Sequence, residues 1–345
     1  MSNRFITLRW LVPCLAAFLL LTACVAPVAP AGDSAPAADE SAAAPAAAKL
    51  SVQIMAPANP GGGWDQTARL MAQIMQEDGL TDGAVEVTNV PGAGGTVGLA
   101  EMVTQHQGDA GIMMMMGKVM VGAILTNQSP VTLDQVTPLA RLTAEYEAIV
   151  VPADSPHQTL VDLIAAFQAD PQSIAWAGGS AGGTDHILVG QIASAVGVTP
   201  DGINYIAYAG GGEASAAILG NQVAAGVSGV GEFVDFVSSG QMRMLAVSSE
   251  ERLDIVPDVP TLQEEGVDVV LLNWRGVVAG PDLSDEDRAA VIDLLTQMNE
   301  SAAWQEALTT NGWDNVFLAG DEFGQFITDE NAVITEVLKN IGLVE

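Results

Sequence analysis

Short apolar runs alternate along the chain with stretches whose apolar positions recur at helical spacing. Leu50 to Ala56 reads as a buried strand, closed by a turn over residues 57–63. From Trp64 to about Glu77 a helix is predicted, with Leu70, Met71, Ile74 and Met75 on one side. Ala84 to Val90 predicts a second strand, Val97 to Gln105 a second helix, and Ile112 to Met116 a third strand. The run Met113–Met116 is read as core strand, not as a copper site. Further strands are expected at 147–151, 173–177, 203–208, 222–227, 243–247 and 269–279. Helical stretches are expected at 159–168, 184–196, 212–219, 230–238 and 285–298, the last capped by Ser284 ahead of Asp287. This alternation predicts an α/β fold of mainly parallel sheets flanked by helices. The apolar strands at 147–151 and 269–279 are candidate crossings, giving domain one as 49–146 plus 277–345 and domain two as 147–276.

The N-terminal pattern is different. Arg4 and Arg9 precede Trp10–Leu21, which is apolar apart from Pro13. That is short for a membrane span but suits the core of a signal peptide. It ends in Leu21-Thr22-Ala23-Cys24, which resembles the lipobox of bacterial lipoproteins. Residues 1–23 are therefore expected to be removed, with Cys24 lipidated. Cys14 lies in the removed part, so no disulfide can form within the mature chain. Residues 25–48 hold twelve Ala and four Pro and no hydrophobic period, as expected of a tether.

Charge narrows the function. The chain of 345 residues carries 11 Lys+Arg against 42 Asp+Glu, a formal net charge of −31. Nucleic-acid binding is excluded, because neutralising phosphates needs clustered cations. With 49% hydrophobic residues, large cores are possible. The three histidines, His106, His157 and His186, lack metal-ligand spacing, and no metal or cofactor is expected.

The chemistry is expected at glycine-rich strand–helix junctions: Asn59–Asp65, Asn89–Gly95, Gly178–His186 and Tyr208–Gly212. A helix start offers unpaired N–H groups and partial positive charge, and glycine lets an anion approach them. In open α/β sheets the ligand lies beyond the carboxyl ends of the strands. No G-x-G-x-x-G occurs, and Gly117-Lys118 is followed by Val119, so neither nucleotide-binding loop is present. Gly178-Gly179-Ser180-Ala181-Gly182 does match the esterase elbow, but His186, six residues on, is the sole histidine after Ser180. Asp65 has two open readings, a first-turn acid or an acceptor for a ligand hydroxyl, amine or water.

Together these loops resemble the substrate-binding receptors of tripartite tricarboxylate transporters, the Bug receptors. The resemblance rests on Pro60-Gly-Gly-Gly-Trp-Asp65 leading to Ala68-Arg69, on Asn89–Gly95, on Gly178–His186, and on Tyr208–Gly211 followed by Leu219–Val223. Arg243–Ser248, Pro257–Leu262 and Trp274-Arg275-Gly276 complete the series. Two departures bear on the ligand: Ala224-Ala225 stands where an acid is usual, and Lys118 where small polar residues are common.

The resemblance implies a two-domain, periplasmic-binding-protein-like (type II) clamp holding a carboxylate between its lobes. Matching positions put Asn59, Gly61, Gly62, Gly63, Asp65, Gly94, Gly95 and Lys118 on one side. Gly179, Ser180, Gly182, Gly183, Thr184, His186, Gly210 and Gly211 are placed on the other. The expected protein is a monomeric, lipid-anchored extracytoplasmic receptor delivering a small carboxylate to integral membrane transporter subunits. It is not expected to be an enzyme. The alternatives are a secreted hydrolase using Ser180 and a receptor that signals to a sensor.

Overall fold

The structure, a computed structural model, describes residues 49–345; the signal segment, Cys24 and the tether fall outside the described residues. Strand β1 (Gln53–Ala56) pairs in parallel with β2 (Glu86–Asn89) and β3 (Ile112–Gly117). Helix α1 (Gly63–Glu77) connects the first two, and α2 (Thr96–Gln105) and α3 (Lys118–Thr126) follow β2 and β3. The long strand β4 (Thr137–Pro152) leads to α4 (Leu160–Ala169), β5 (Ala175–Gly178), α5 (Thr184–Ala195), β6 (Asn204–Ala207) and α6 (Gly211–Leu219). The chain continues through β7 (Ala225–Gly229), α7 (Val230–Ser238) and β8 (Met242–Val247) to β9 (Leu272–Ala279). It ends with α8 (Asp285–Glu300), α9 (Ala302–Asn311), β10 (Asp314–Ala319) and α10 (Gly320–Asn340).

These strands join in the order β2-β1-β3-β9-β4-β7-β5-β6, with β8 and β10 also paired to β4. The α/β class holds, but the sheet is mixed. Parallel pairs are β1 with β2 and β3, and β5 with β6 and β7. Every pair made by β4 or β9 is antiparallel. Along β4 the partner changes between Tyr146 and Glu147. Up to Tyr146 it pairs with β9 and β10; from Glu147 it pairs with β7 and β8.

Local sequence accounts for the elements. In β3, Ile112–Met116 are all buried, as expected of a strand covered on both faces. In α1, Trp64, Ala68, Met71, Ala72 and Met75 form one buried stripe, and Gly79 at φ +62 turns the chain out of the helix. Ser284 caps α8 by accepting from the Asp287 N–H at 3.1 Å. The main core runs from Ile54 and Met114 through Val277 to Trp176 and Ile187, so it spans both halves; a smaller one centres on Phe233 and Ile218. Among the described residues, no helix is long and apolar enough to cross a membrane.

Candidate functional site

Six strand–helix junctions, those after β1, β2, β3, β5, β6 and β7, open onto one cleft at the carboxyl ends of their strands. It encloses about 550 Å³ including its mouth. Neighbouring loops meet with little to spare: a Cβ on Gly62 would lie 3.1 Å from the Gly211 nitrogen, and one on Gly179 would lie 3.0 Å from it. The Asn59 N–H donates to the Ala209 carbonyl at 3.2 Å, which ties the β1–α1 and β6–α6 loops together. Gly62 and Gly210 are the N-caps of α1 and α6, and as glycines neither supplies a side-chain cap. Gly210, at φ +145, holds a conformation that only glycine adopts readily. The first N–H groups of both helices therefore bring partial positive charge to the cleft.

Behind these amides lies a charged cluster. Arg275 of β9 is 3% exposed and bonds Glu145 of β4; its guanidinium is also 3.7 Å from Glu232 of α7. The second Glu145 oxygen accepts from Trp313 Nε1 at 2.9 Å, so that carboxylate is fully engaged. Glu147, also on β4, accepts from Asn273 Nδ2 at 2.8 Å, and Asn273 Oδ1 accepts from the Thr184 hydroxyl at 3.2 Å. Asp185 accepts from the Gly179 N–H and faces Glu147.

Burial sets the protonation of these groups. It drives Glu147 well above the usual carboxylate range, aided by the charges of Asp185 and Glu232. Burial raises Asp185 to about 6, against the pull of the Gly179 N–H. It raises Glu232 to about 8, with a contribution from Asp185 and opposition from Ser228 and the Gly63 amide. Arg275 is lowered to about 9 by burial and stays charged at neutral pH.

Of the residues expected from sequence, the cleft is lined by Gly62, Gly63, Gly94, Gly95, Gly179, Ser180, Gly210 and Gly211. The others lie beside it. Asp65 is spent on local structure, accepting from the Gly61 N–H at 3.0 Å, Arg69 Nε at 3.0 Å and Asn89 Nδ2 at 2.9 Å. Burial pushes its carboxyl up, but these bonds outweigh that and hold it below its ordinary value. Asn59 Nδ2 bonds Glu213. Lys118 does not face the cleft: its ammonium lies 3.0 Å from Glu330 of α10, which also accepts from Trp274 Nε1 at 3.0 Å.

Gly182, Gly183, Thr184 and His186 shape the loop around Ser180. The Gly182 N–H donates to His186 Nδ1 at 3.1 Å, and burial lowers that imidazole to about 4, so it is neutral. Its ring stacks on Tyr205 at 3.9 Å, and the Tyr205 hydroxyl donates to the Ser180 carbonyl at 2.9 Å. The Ser180 hydroxyl itself bonds no base, and with Nδ1 of His186 engaged by a backbone amide the esterase elbow lacks its nucleophile–base pair. The sequence reading missed Trp64, Asp185, Ser228, Glu232, Asn273 and Arg275, all of which line the cleft. A usable signal existed for Arg275, a charge inside the apolar run Leu271–Ala279.

A cleft of helix N-termini at the carboxyl ends of the strands is where α/β sheets bind their ligands. Residues 67–343 match the family model described as tripartite tricarboxylate transporter family receptor, and the chain belongs to that family. Protein BugT of Bordetella pertussis is 30% identical over 287 residues, covering 81% of this chain and 85% of BugT. Among solved structures, the periplasmic binding protein BugD superposes with a TM-score of 0.76 at 22% identity, covering 85% of this chain and 98% of BugD. MatC from Rhodopseudomonas palustris, with bound malate, superposes with a TM-score of 0.74 at 21% identity, covering 84% of this chain and 99% of MatC. The family is one of receptors, not of enzymes.

Proposed function

We propose that this protein is a lipid-anchored, extracytoplasmic receptor that closes two lobes, 49–146 plus 277–345 and 147–276, around a small carboxylate and delivers it to membrane transporter subunits. The observation that carries the reading is the convergence of two helix starts with glycine N-caps, at Gly63 and Gly211, on one cleft in a chain of this receptor family. Each charge-assisted hydrogen bond from such an amide to a carboxylate is worth roughly 1.5–3 kcal/mol. Malate bound to MatC supports a ligand of this chemistry. Ligand contacts made in the closed form alone would draw the hinge equilibrium toward closure.

The test is calorimetry with small di- and tricarboxylates, preceded by mass spectrometry of whatever the gently purified protein retains. Gly62→Val should weaken binding at least about tenfold, equivalent to about 1.4 kcal/mol. Gly62 has φ −94, so valine causes no backbone strain there, and the lesion is its bulk against Gly211. A folded variant that binds normally would sink the clamp. For the anchor, Cys24→Ser should release the protein from the detergent phase or leave it uncleaved; a processed mutant that still partitions into detergent would contradict lipidation.

A further inference from the structure

The place between the two helix starts already has a carboxyl group of the protein's own against it. Gly63 opens α1 and Gly211 opens α6, and the Glu232 side chain of α7 reaches both. A Cβ on Gly63 would stand 2.8 Å from Glu232 Oε1, and a Cβ on Gly211 would fall on Glu232 Oε2. The Gly63 N–H favours the charged form of this carboxyl, as it would favour a ligand anion in the same position. The Glu232 side chain is 6% exposed, its Oε2 has no hydrogen-bond partner, and it lines the cavity. The contact also joins the two segments of the clamp, since Gly63 belongs to 49–146 and Glu232 to 147–276.

We propose that Glu232 is an internal competitor, whose carboxylate when charged holds the gap between the Gly63 and Gly211 helix starts against a ligand carboxylate. This inference rests on the receptor reading above and adds a gate to the same cleft. Two carboxylates do not share such a gap while both are charged, because like charges at close range force one of them to keep a proton. The protonated side chain carries no competing charge, and its O–H can donate to the incoming anion. Filling of the cleft is then coupled to one proton on Glu232.

The charged and titratable groups packed around Glu232 set where that coupling acts. Arg275 on β9 is 3.7 Å away but bonds Glu145 of β4, while Asp185 of α5 and Glu147 of β4 add acid to the same cluster. Burial, helped by the charge of Asp185, raises Glu232 to about 8, so the gate is mainly protonated at neutral pH. An anion bound beside it raises its proton affinity further. Carboxylate affinity therefore falls about tenfold from pH 7 to 9, with about one proton taken up per ligand at the alkaline end. Arg275, lowered to about 9 by burial, begins to lose its charge there too, which accounts for about twofold of that loss at most.

Calorimetry of the whole protein with malate, succinate and citrate at pH 7, 8 and 9, in buffers of low and high ionisation enthalpy, reads affinity and proton uptake together. The expected wild-type result is the tenfold fall with its proton uptake. In Glu232→Gln, which cannot ionise, the fall should shrink to the twofold left to Arg275, and most of the proton uptake should disappear. At pH 9 the variant should bind several-fold more tightly than the wild type. A wild-type affinity that is flat or rises with pH, or a variant that binds more weakly at pH 9, would overturn the competitor and leave the receptor reading intact. If neither folded protein binds any of the three acids, the small-carboxylate reading fails and this inference with it. Should Glu232→Gln not fold, the wild-type slope and proton uptake still decide.

Discussion

Two kinds of buried acid sit within this fold, and they differ in what they have for partners. Asp65 gathers a guanidinium, an amide side chain and a backbone N–H, so it functions as a brace for the turn before α1. Asp65→Ala should lower stability by about 2 kcal/mol in urea denaturation, since the Gly61 N–H and Asn89 amide lose their acceptor. Asp185 and Glu232 are the reverse case, with folded values of about 6 and about 8 against ordinary ones of 3.8 and 4.5. The native state therefore holds protons that the unfolded chain has already released. That contribution is full below about pH 4 and is lost as pH rises toward 8. Thermal melts of the ligand-free protein should show stability declining from pH 5 to 8, and Glu232→Gln should flatten the decline. A profile that rises over that interval, or is unchanged by the variant, would refute this account.

Elements were legible where their signal is local. The helices starting after glycine turns were placed within a residue or two, because their ends are set by backbone conformations such as Gly79 at φ +62. The cap at Ser284 was read from two residues and is present, and Ser284→Ala should cost about 1 kcal/mol, measured by urea unfolding. A loss below about 0.3 kcal/mol would mean that solvent replaces the hydroxyl. Two of the unread elements lack such punctuation, whereas α9 was missed despite its Ser301 cap and Gly312 at φ +66. Helix α3, Lys118–Thr126, is rich in β-branched and apolar residues and carries no cap signal, so nothing local separates it from a buried strand. The first ten residues of β4 mix Pro138, Arg141 and Glu145 into an apolar pattern, and their strand character comes from pairing with β9 and β10. The site divides likewise. Its glycine loops could be read, whereas Glu147, Glu232 and Arg275 meet only through contacts between residues far apart in sequence.

At the scale of the molecule, the question is how strongly the two halves depend on each other. β4 is continuous through the change of partner at Tyr146–Glu147, and Ala48–Glu345 form one compact unit. The main core contains Val52, Met114 and Leu295 from one half and Leu160, Phe167 and Trp176 from the other. Burying such side chains is worth roughly 1.5–3 kcal/mol each, so melting one half would strip cover from the other. Unfolding should therefore be a single cooperative transition, with tryptophan fluorescence, far-ultraviolet circular dichroism and calorimetry coinciding. Trp176 reports from the second half, Trp304 from a helix of the first, and Trp313 from the loop that follows that helix. Ligand at a hundred times its Kd should add about 2.7 kcal/mol to that one transition and move every probe together. Two separated transitions, or a ligand shift confined to one of them, would mean that the lobes fold independently and that β4 is only a tether between them.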